Sequence, residues 1–279
     1  MKLDYFTNTY KQWNEDTYGM TKHAAFVIDG ASALLKNNFT SLENDVVWFV
    51  QWWKNYLENS LENFDLKLSQ IVEQGIHLCN DEFNNFTLID QLSTLEKVSA
   101  SIGIIRIGEE KLETFLLGDC EIRLLTYEDK VIKLVDDKIE KLDNEVKKLM
   151  ASNKNRLNEL VFKDFTQEEL DLLRVNRQKM NSEGGYFILS HDTEAVNHAI
   201  AKEYYLKDIK NIIIQSDGLV MLDNFYSAEQ LFTKMSNGVE GCIKELREIE
   251  QKDELMSQFV RLKKHDDATA IFIDEKHKC

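Results

Sequence analysis

The sequence predicts an α+β fold in which antiparallel sheets are covered by helices. Two observations carry this reading. Short β-prone runs come in local meanders separated by polar turns, and amphipathic helical stretches come in pairs between and around them. The one-by-one alternation of strand and helix that marks a parallel sheet is missing.

The elements follow in order. Residues 24–28 (AAFVI) read as a buried strand. Residues 45–61 are helical: Val46, Val47, Phe49, Val50, Trp53, Tyr56 and Leu57 recur at i, i+3, i+4, and Asn44 or Asp45 can cap the start. A second helix covers 65–83, with Leu68, Ile71, Val72, Ile76 and Phe83 on one stripe. The texture then changes to short strands at 98–107, 112–118, 121–126 and 130–135. Residues 136–180 turn helical and highly charged, a solvated helical pair, with Thr166 and Glu169 spaced as a capping box. Strands return at 185–190 and 211–216, helices follow near 227–236 and 238–260, and a last strand covers 268–273. No repeat or flexible linker interrupts the chain, so residues 1–279 are read as one domain, with an insert or flap at about 136–180.

Composition narrows the function classes. The net charge of −15 repels nucleic acid and anionic lipid, so neither is expected as a partner. No apolar run reaches the roughly 18–20 residues of a membrane span. The N-terminal segment MKLDYFTNTYKQW has no apolar core of a secretory signal. Cys79, Cys120, Cys242 and Cys279 are scattered with no C-x-x-C pair, which reads as reduced thiols in a cytoplasmic protein. Proline is absent, so turns rest on Gly, Asn and Asp.

One pattern points to chemistry. AAFVIDG delivers Asp29 at the end of an apolar strand, TFLLGDC delivers Asp119, NIIIQSDG delivers Asp217, and HDDATAIFI places Asp266 and Asp267 at the start of the last strand. An upstream NEDTYG adds Asn14, Glu15 and Asp16. Singly, each acid is a turn or a cap. Together they suit hard divalent cations, which take carboxylate, carbonyl and water oxygens. Clustered carboxylates without a cation would repel one another and hold protons. The histidines show no metal-ligand spacing, which disfavours a zinc hydrolase.

In order along residues 11–273, NEDTYG, FVIDGAS, LLGDCEIRLL, IIIQSDGLV and HDDATAIFI resemble the motifs of the metal-dependent protein serine/threonine phosphatases, the protein phosphatase 2C family, and specifically its small bacterial members. The resemblance implies two antiparallel sheets packed face to face as a sandwich and flanked by helical pairs. It implies two ions of Mn²⁺ or Mg²⁺ that activate a water for attack on phosphoserine or phosphothreonine of a protein, in signal transduction. Carried over by position, Asp29 bridges the two ions, the Gly30 carbonyl binds one, and Asp217 and Asp266 complete the other's ligands. Asp119, with Asp217, holds a looser third ion, and Glu15 and Asp16 lie in or just behind the metal shell. Asp29, Asp217 and Asp266 are thereby the expected catalytic acids.

This chain also departs from the family pattern. Lys11 stands where an Arg usually grips phosphate, keeping the charge but losing the bidentate fork. DGASALL replaces a glycine-rich continuation, Leu117 and Cys120 replace Asn and Ser, Arg123 lies one place late, and Asp267 stands for Asn. His23 reads as a surface residue and Cys120 as a small buried one. Two alternatives stay open: a catalytically weak or inactive pseudophosphatase acting as a binding module, and a phosphatase for a small phosphoester. A monomer is favoured, and the sequence does not separate Mn²⁺ from Mg²⁺.

Overall fold

A computed structural model describes residues 2–153 and 155–275; Cys279 lies outside them. Along the chain run β1 (Lys2–Asn8), β2 (Asp16–Met20), β3 (Ala24–Gly30), α1 (Asp45–Ser60), α2 (Leu68–Phe83), β4 (Ala100–Ile107), β5 (Lys111–Leu117), β6 (Glu121–Thr126) and β7 (Val131–Leu134). There follow α3 (Lys138–Ser152), β8 (Leu160–Phe162), β9 (Phe165–Thr166), α4 (Gln167–Arg177), β10 (Ile200–Tyr205), β11 (Ile209–Gln215), α5 (Ala228–Ser236), α6 (Val239–Lys252) and β12 (Ala268–Asp274).

The strands form two five-stranded sheets, ordered β1-β12-β11-β6-β7 and β10-β5-β4-β3-β2, and a small β8-β9 pair. All their strand pairings are antiparallel. Strand periodicity sorts the side chains into layers. On β3, Phe26 and Ile28 face outward and pack with Trp53, Ile71 and Phe83 of the α1–α2 pair. Ala25 and Val27 face inward and meet Ile122, Ile212, Ile214, Ile271 and Ile273 of the other sheet. On that sheet's outer face, Ile213 and Phe272 pack with Leu231, Phe232, Ile243 and Leu246 of the α5–α6 pair. Helix pair, sheet, sheet, helix pair is therefore the layer order. Each fully buried Ile or Phe in these clusters contributes about 1.5–3 kcal/mol.

Helix starts follow local chemistry. Asn44 caps α1, its side chain accepting from the Val46 and Val47 amides. Thr166 and Glu169 form the expected capping box of α4.

The structure corrects several boundaries. The second helix begins at Leu68 rather than residue 65, and α6 ends at Lys252 rather than residue 260. Residues 185–190 are not a strand: they contribute only isolated bridges, Ala100 with Leu189 and Met180 with Tyr186. Their apolar side chains bury against the α1–α2 cluster and beneath α3 instead. Strands β1, β2 and β10 carry no continuous apolar run, and the sequence reading passed over them; it also read 136–180 as wholly helical, where the short β8–β9 pair stands between α3 and α4.

Candidate active site

The inward parity of β3 places Asp29 at the rim of the inner layer. Directly across the β2–β3 ladder stands Asp16, and across β3–β4 stands Ser101. The neighbouring rung, where the Gly30 amide donates to the Glu15 carbonyl at 3.0 Å, is the hydrogen-bonded one. Asp16 and Asp29 therefore share a non-hydrogen-bonded rung, where facing side chains come closest.

From the turn after β5, Asp119 joins them. Its Oδ1 accepts from the Ser101 hydroxyl, and its amide donates to Ser101 Oγ at 3.0 Å. Gly118 makes this turn with φ of +91°, and a side chain there would collide with Ser101. The other sheet supplies Asp217, just past β11, whose amide donates to Asp29 Oδ2 at 3.3 Å. It also supplies Asp266, just ahead of β12. At Gly30 the lack of a side chain has a packing reason, since a Cβ would meet Val46 and the Glu15 carbonyl.

Asp29, Asp119, Asp217 and Asp266 line a cavity of about 1020 Å³, and Asp16 is buried behind that lining. Its far wall is the charged 136–180 segment, with Asp143 and Lys147 from α3, Lys163 from the β8–β9 turn and Arg177 from α4. Lys163 Nζ donates to the Ala33 carbonyl at 3.1 Å and Arg177 Nη2 to the Ser32 carbonyl at 3.3 Å, which ties this wall to the DGASALL loop.

The acids fall into two electrostatic groups. Burial, reinforced by Asp16, Asp217 and Asp119, pushes the Asp29 carboxyl well above its ordinary range. Burial and then Asp267 push Asp16 up to about 7. Burial and then Asp119 push Asp217 up to about 7. Burial, partly offset by the Ser101 hydrogen bond, pushes Asp119 up to about 6. On α3, burial and the facing Asp217 push Asp143 up to about 7.

Asp266 goes the other way. Burial is outweighed there by the Lys263 and Lys11 ammonium groups, which bring it down to about 2. Lys263 Nζ lies 2.7 Å and Lys11 Nζ 3.2 Å from Asp266 Oδ1. Lys11 also reaches Asp267 at 2.8 Å and Glu15 at 3.4 Å. The residue expected to grip phosphate is thus folded onto three carboxylates.

The donor set supports a hard cation at the first group. It is all oxygen, and Asp16 Oδ2 is buried with no hydrogen-bond partner among the described residues. As the side chains stand, no three His, Cys, Asp or Glu among the described residues approach closely enough to hold a metal ion. A bound cation would offset the repulsion among these carboxylates.

Other singled-out residues lie away from the cavity. His23 is exposed and pairs with Glu62 at 2.7 Å. Cys120 is fully buried, and Arg123 is buried between Glu121 and Asp223. The sequence reading missed Ser101, Asp143, Lys163, Arg177 and Lys263.

No family model matches the sequence, and no curated protein matches it. Solved structures do match its shape. The serine/threonine phosphatase Stp1 from Staphylococcus aureus is 11% identical with a TM-score of 0.55, covering 98% of this chain and 94% of that one. The catalytic domain of the serine/threonine protein phosphatase PstP, solved with 2 manganese ions, is 13% identical with a TM-score of 0.55, covering 98% and 97%. The PPM Ser-Thr phosphatase MsPP from Mycobacterium smegmatis, in complex with cacodylate, is 12% identical with a TM-score of 0.54, covering 98% of each chain. At such identities a likeness speaks for architecture, and the architecture of this chain is the protein phosphatase 2C fold of the bacterial serine/threonine phosphatases.

Proposed function

We propose that this chain is a cytoplasmic, single-domain phosphatase that hydrolyses phosphoserine or phosphothreonine in proteins with the help of Mn²⁺ or Mg²⁺. One observation carries the reading: strand ends from both sheets bring Asp16, Asp29, Asp119 and Asp217 to one rim, where burial first, and neighbouring acids after it, hold their pKa values up. The PstP neighbour, which holds manganese, supports it through the shared fold.

Asp29 and Asp217 stand at the junction of the sheets and would hold the cation, with Asp119 beside them. Bound there, a divalent cation supplies Lewis acidity for attack of water on phosphorus in line with the leaving oxygen. The chain's own groups do the rest. Lys163 and Arg177 face the same cavity and can offset charge on the phosphoryl oxygens. The Ser101 hydroxyl fixes Asp119. Burial pushes the Cys79 and Cys120 thiols well up and that of Cys242 up to about 11, so none of these thiols serves as a nucleophile.

A second reading, a binding module without turnover, draws on the two lysines that neutralise Asp266. Hydrolysis of para-nitrophenyl phosphate and a phosphothreonine peptide with Mn²⁺, Mg²⁺ or EDTA, by wild type and Asp29→Ala, decides between them. Cation-dependent turnover lost in the variant supports the phosphatase. Folded wild type without turnover under any cation supports the module. A strong preference for the small ester over the peptide redirects the substrate class.

A further inference from the structure

The rim divides by hydrogen bonding as well as by charge. Asp266 Oδ1 already accepts from Lys263 Nζ, Lys11 Nζ and the Asp267 amide. Glu15 is used up in the same way. Its Oε2 accepts from the Ser32 hydroxyl and Lys11, and its Oε1 from Asn44 Nδ2 at 3.2 Å. Asp267 Oδ2 takes Lys11 and the Glu15 amide. Among the described residues Asp16 Oδ2 has no partner, as Asp267 Oδ1 on the other side has none, and Asp29 Oδ2 has one amide at 3.3 Å; the full set of donors falls on Asp266 Oδ1 and Glu15.

Lys263 is not a surface lysine that swung in. Its loop is pinned by Asp253, which accepts from the Ser257, Gln258 and Phe259 amides and from Arg261 Nη1. Arg261 in turn donates to the carbonyls of Glu250, Asp253, Phe259 and Lys264. From the other side, Arg247 Nη2 donates to the Asp266 carbonyl at 2.6 Å. Part-buried hydrogen bonds thus hold Lys263 and Asp266 in register. Lys11 and Asp267, both departures from the expected motifs, are paired with each other.

We infer that the chain binds one divalent cation, among Asp16, Asp29, Asp119 and Asp217, and that the Lys11 and Lys263 ammonium groups take the place of a second at Asp266. This rests on the cation-dependent reading above and changes its stoichiometry. A two-ion centre is replaced by one ion and two fixed ammonium charges, which offset the same carboxylates but offer no coordination site for water.

Equilibrium dialysis of the full chain against Mn²⁺, with elemental analysis of bound metal, tests the count. Wild type is expected to hold one Mn²⁺. Lys263→Met and the Lys11→Met/Lys263→Met double variant, shown folded by circular dichroism, are expected to take a second, while Lys263→Arg stays at one. Affinity for the first ion should fall about 100-fold in Asp29→Asn and change by less than about threefold in Asp266→Asn. Two ions on wild type, or a folded double variant that stays at one, overturns the inference and leaves the phosphatase reading standing. No Mn²⁺ on wild type or any variant overturns that reading itself, and this inference with it.

Discussion

Asp16 and Asp29 face each other across one rung of the β2–β3 ladder, two carboxyl groups at the closest-approach position of an antiparallel pair. Like charges directly opposite destabilise a sheet. On the reading proposed above, this stability cost is one that a bound cation would offset.

Relieving that repulsion should stabilise the metal-free chain. Asp16→Asn puts an amide opposite Asp29, and in EDTA it is expected to add about 1 kcal/mol and raise Tm. The same variant should lose most of the Tm increase that Mn²⁺ gives wild type. Thermal melts with and without Mn²⁺ check both, and a lower Tm for Asp16→Asn in EDTA refutes the strain argument.

Asp29 has the most acidic neighbours of the cluster. Its replacement by Asn should lower kcat by about 10³-fold or more, the scale seen when one preorganised electrostatic contact is removed from a reacting centre. Steady-state kinetics at saturating Mn²⁺ measure it. A drop below tenfold would mean that catalysis lies elsewhere.

Gly118 holds the turn that presents Asp119. Ala there meets both a left-handed φ and the Ser101 side chain. Backbone strain and overpacking together should cost about 3 kcal/mol. Urea unfolding reads this directly, and a change under about 1 kcal/mol would show that the turn can shift without loss.

Asp253 gives a pH signature separate from the rim. Amide hydrogen bonds from Gln258, Phe259 and Ser257 outweigh burial and bring it down to about 2, against an ordinary 3.8. Its folded pKa is depressed, so its contribution is fully present above pH 4 and is lost as pH falls through about 2. The loss should be about 2 kcal/mol. In Asp253→Asn the stability should be lower at neutral pH and flatter between pH 4 and 2. An unchanged acid limb in the variant would assign it to other carboxylates.

Much of this could be read from the sequence because strands are punctuated. Asp29, Asp119 and Asp217 each close an apolar run, and Asp266 opens one, so their convergence at a sheet edge follows from where buried strands end. The strands without apolar runs were hidden. In β10, IAKEYY lies along an exposed edge, so its residues carry little burial signal. GYFILS misled for the opposite reason: it is buried enough to look like a strand, yet it packs by its side chains and pairs at single bridges. Lys263 was illegible because a Lys within LKKHDD looks like solvated charge. Hydrogen bonds of Asp253, ten residues earlier, of Arg261 and of Arg247 aim it at Asp266.

The rim draws its acids from both layers, Asp16, Asp29 and Asp119 from one sheet and Asp217 from the other. A cation held among them, as proposed above, would rivet the two sheets together at this end. Sliding of one sheet over the other must then break that rivet first. Amide exchange in β3 and in β11, governed by separate openings in the bare chain, should merge into a single slow event once the joint is made.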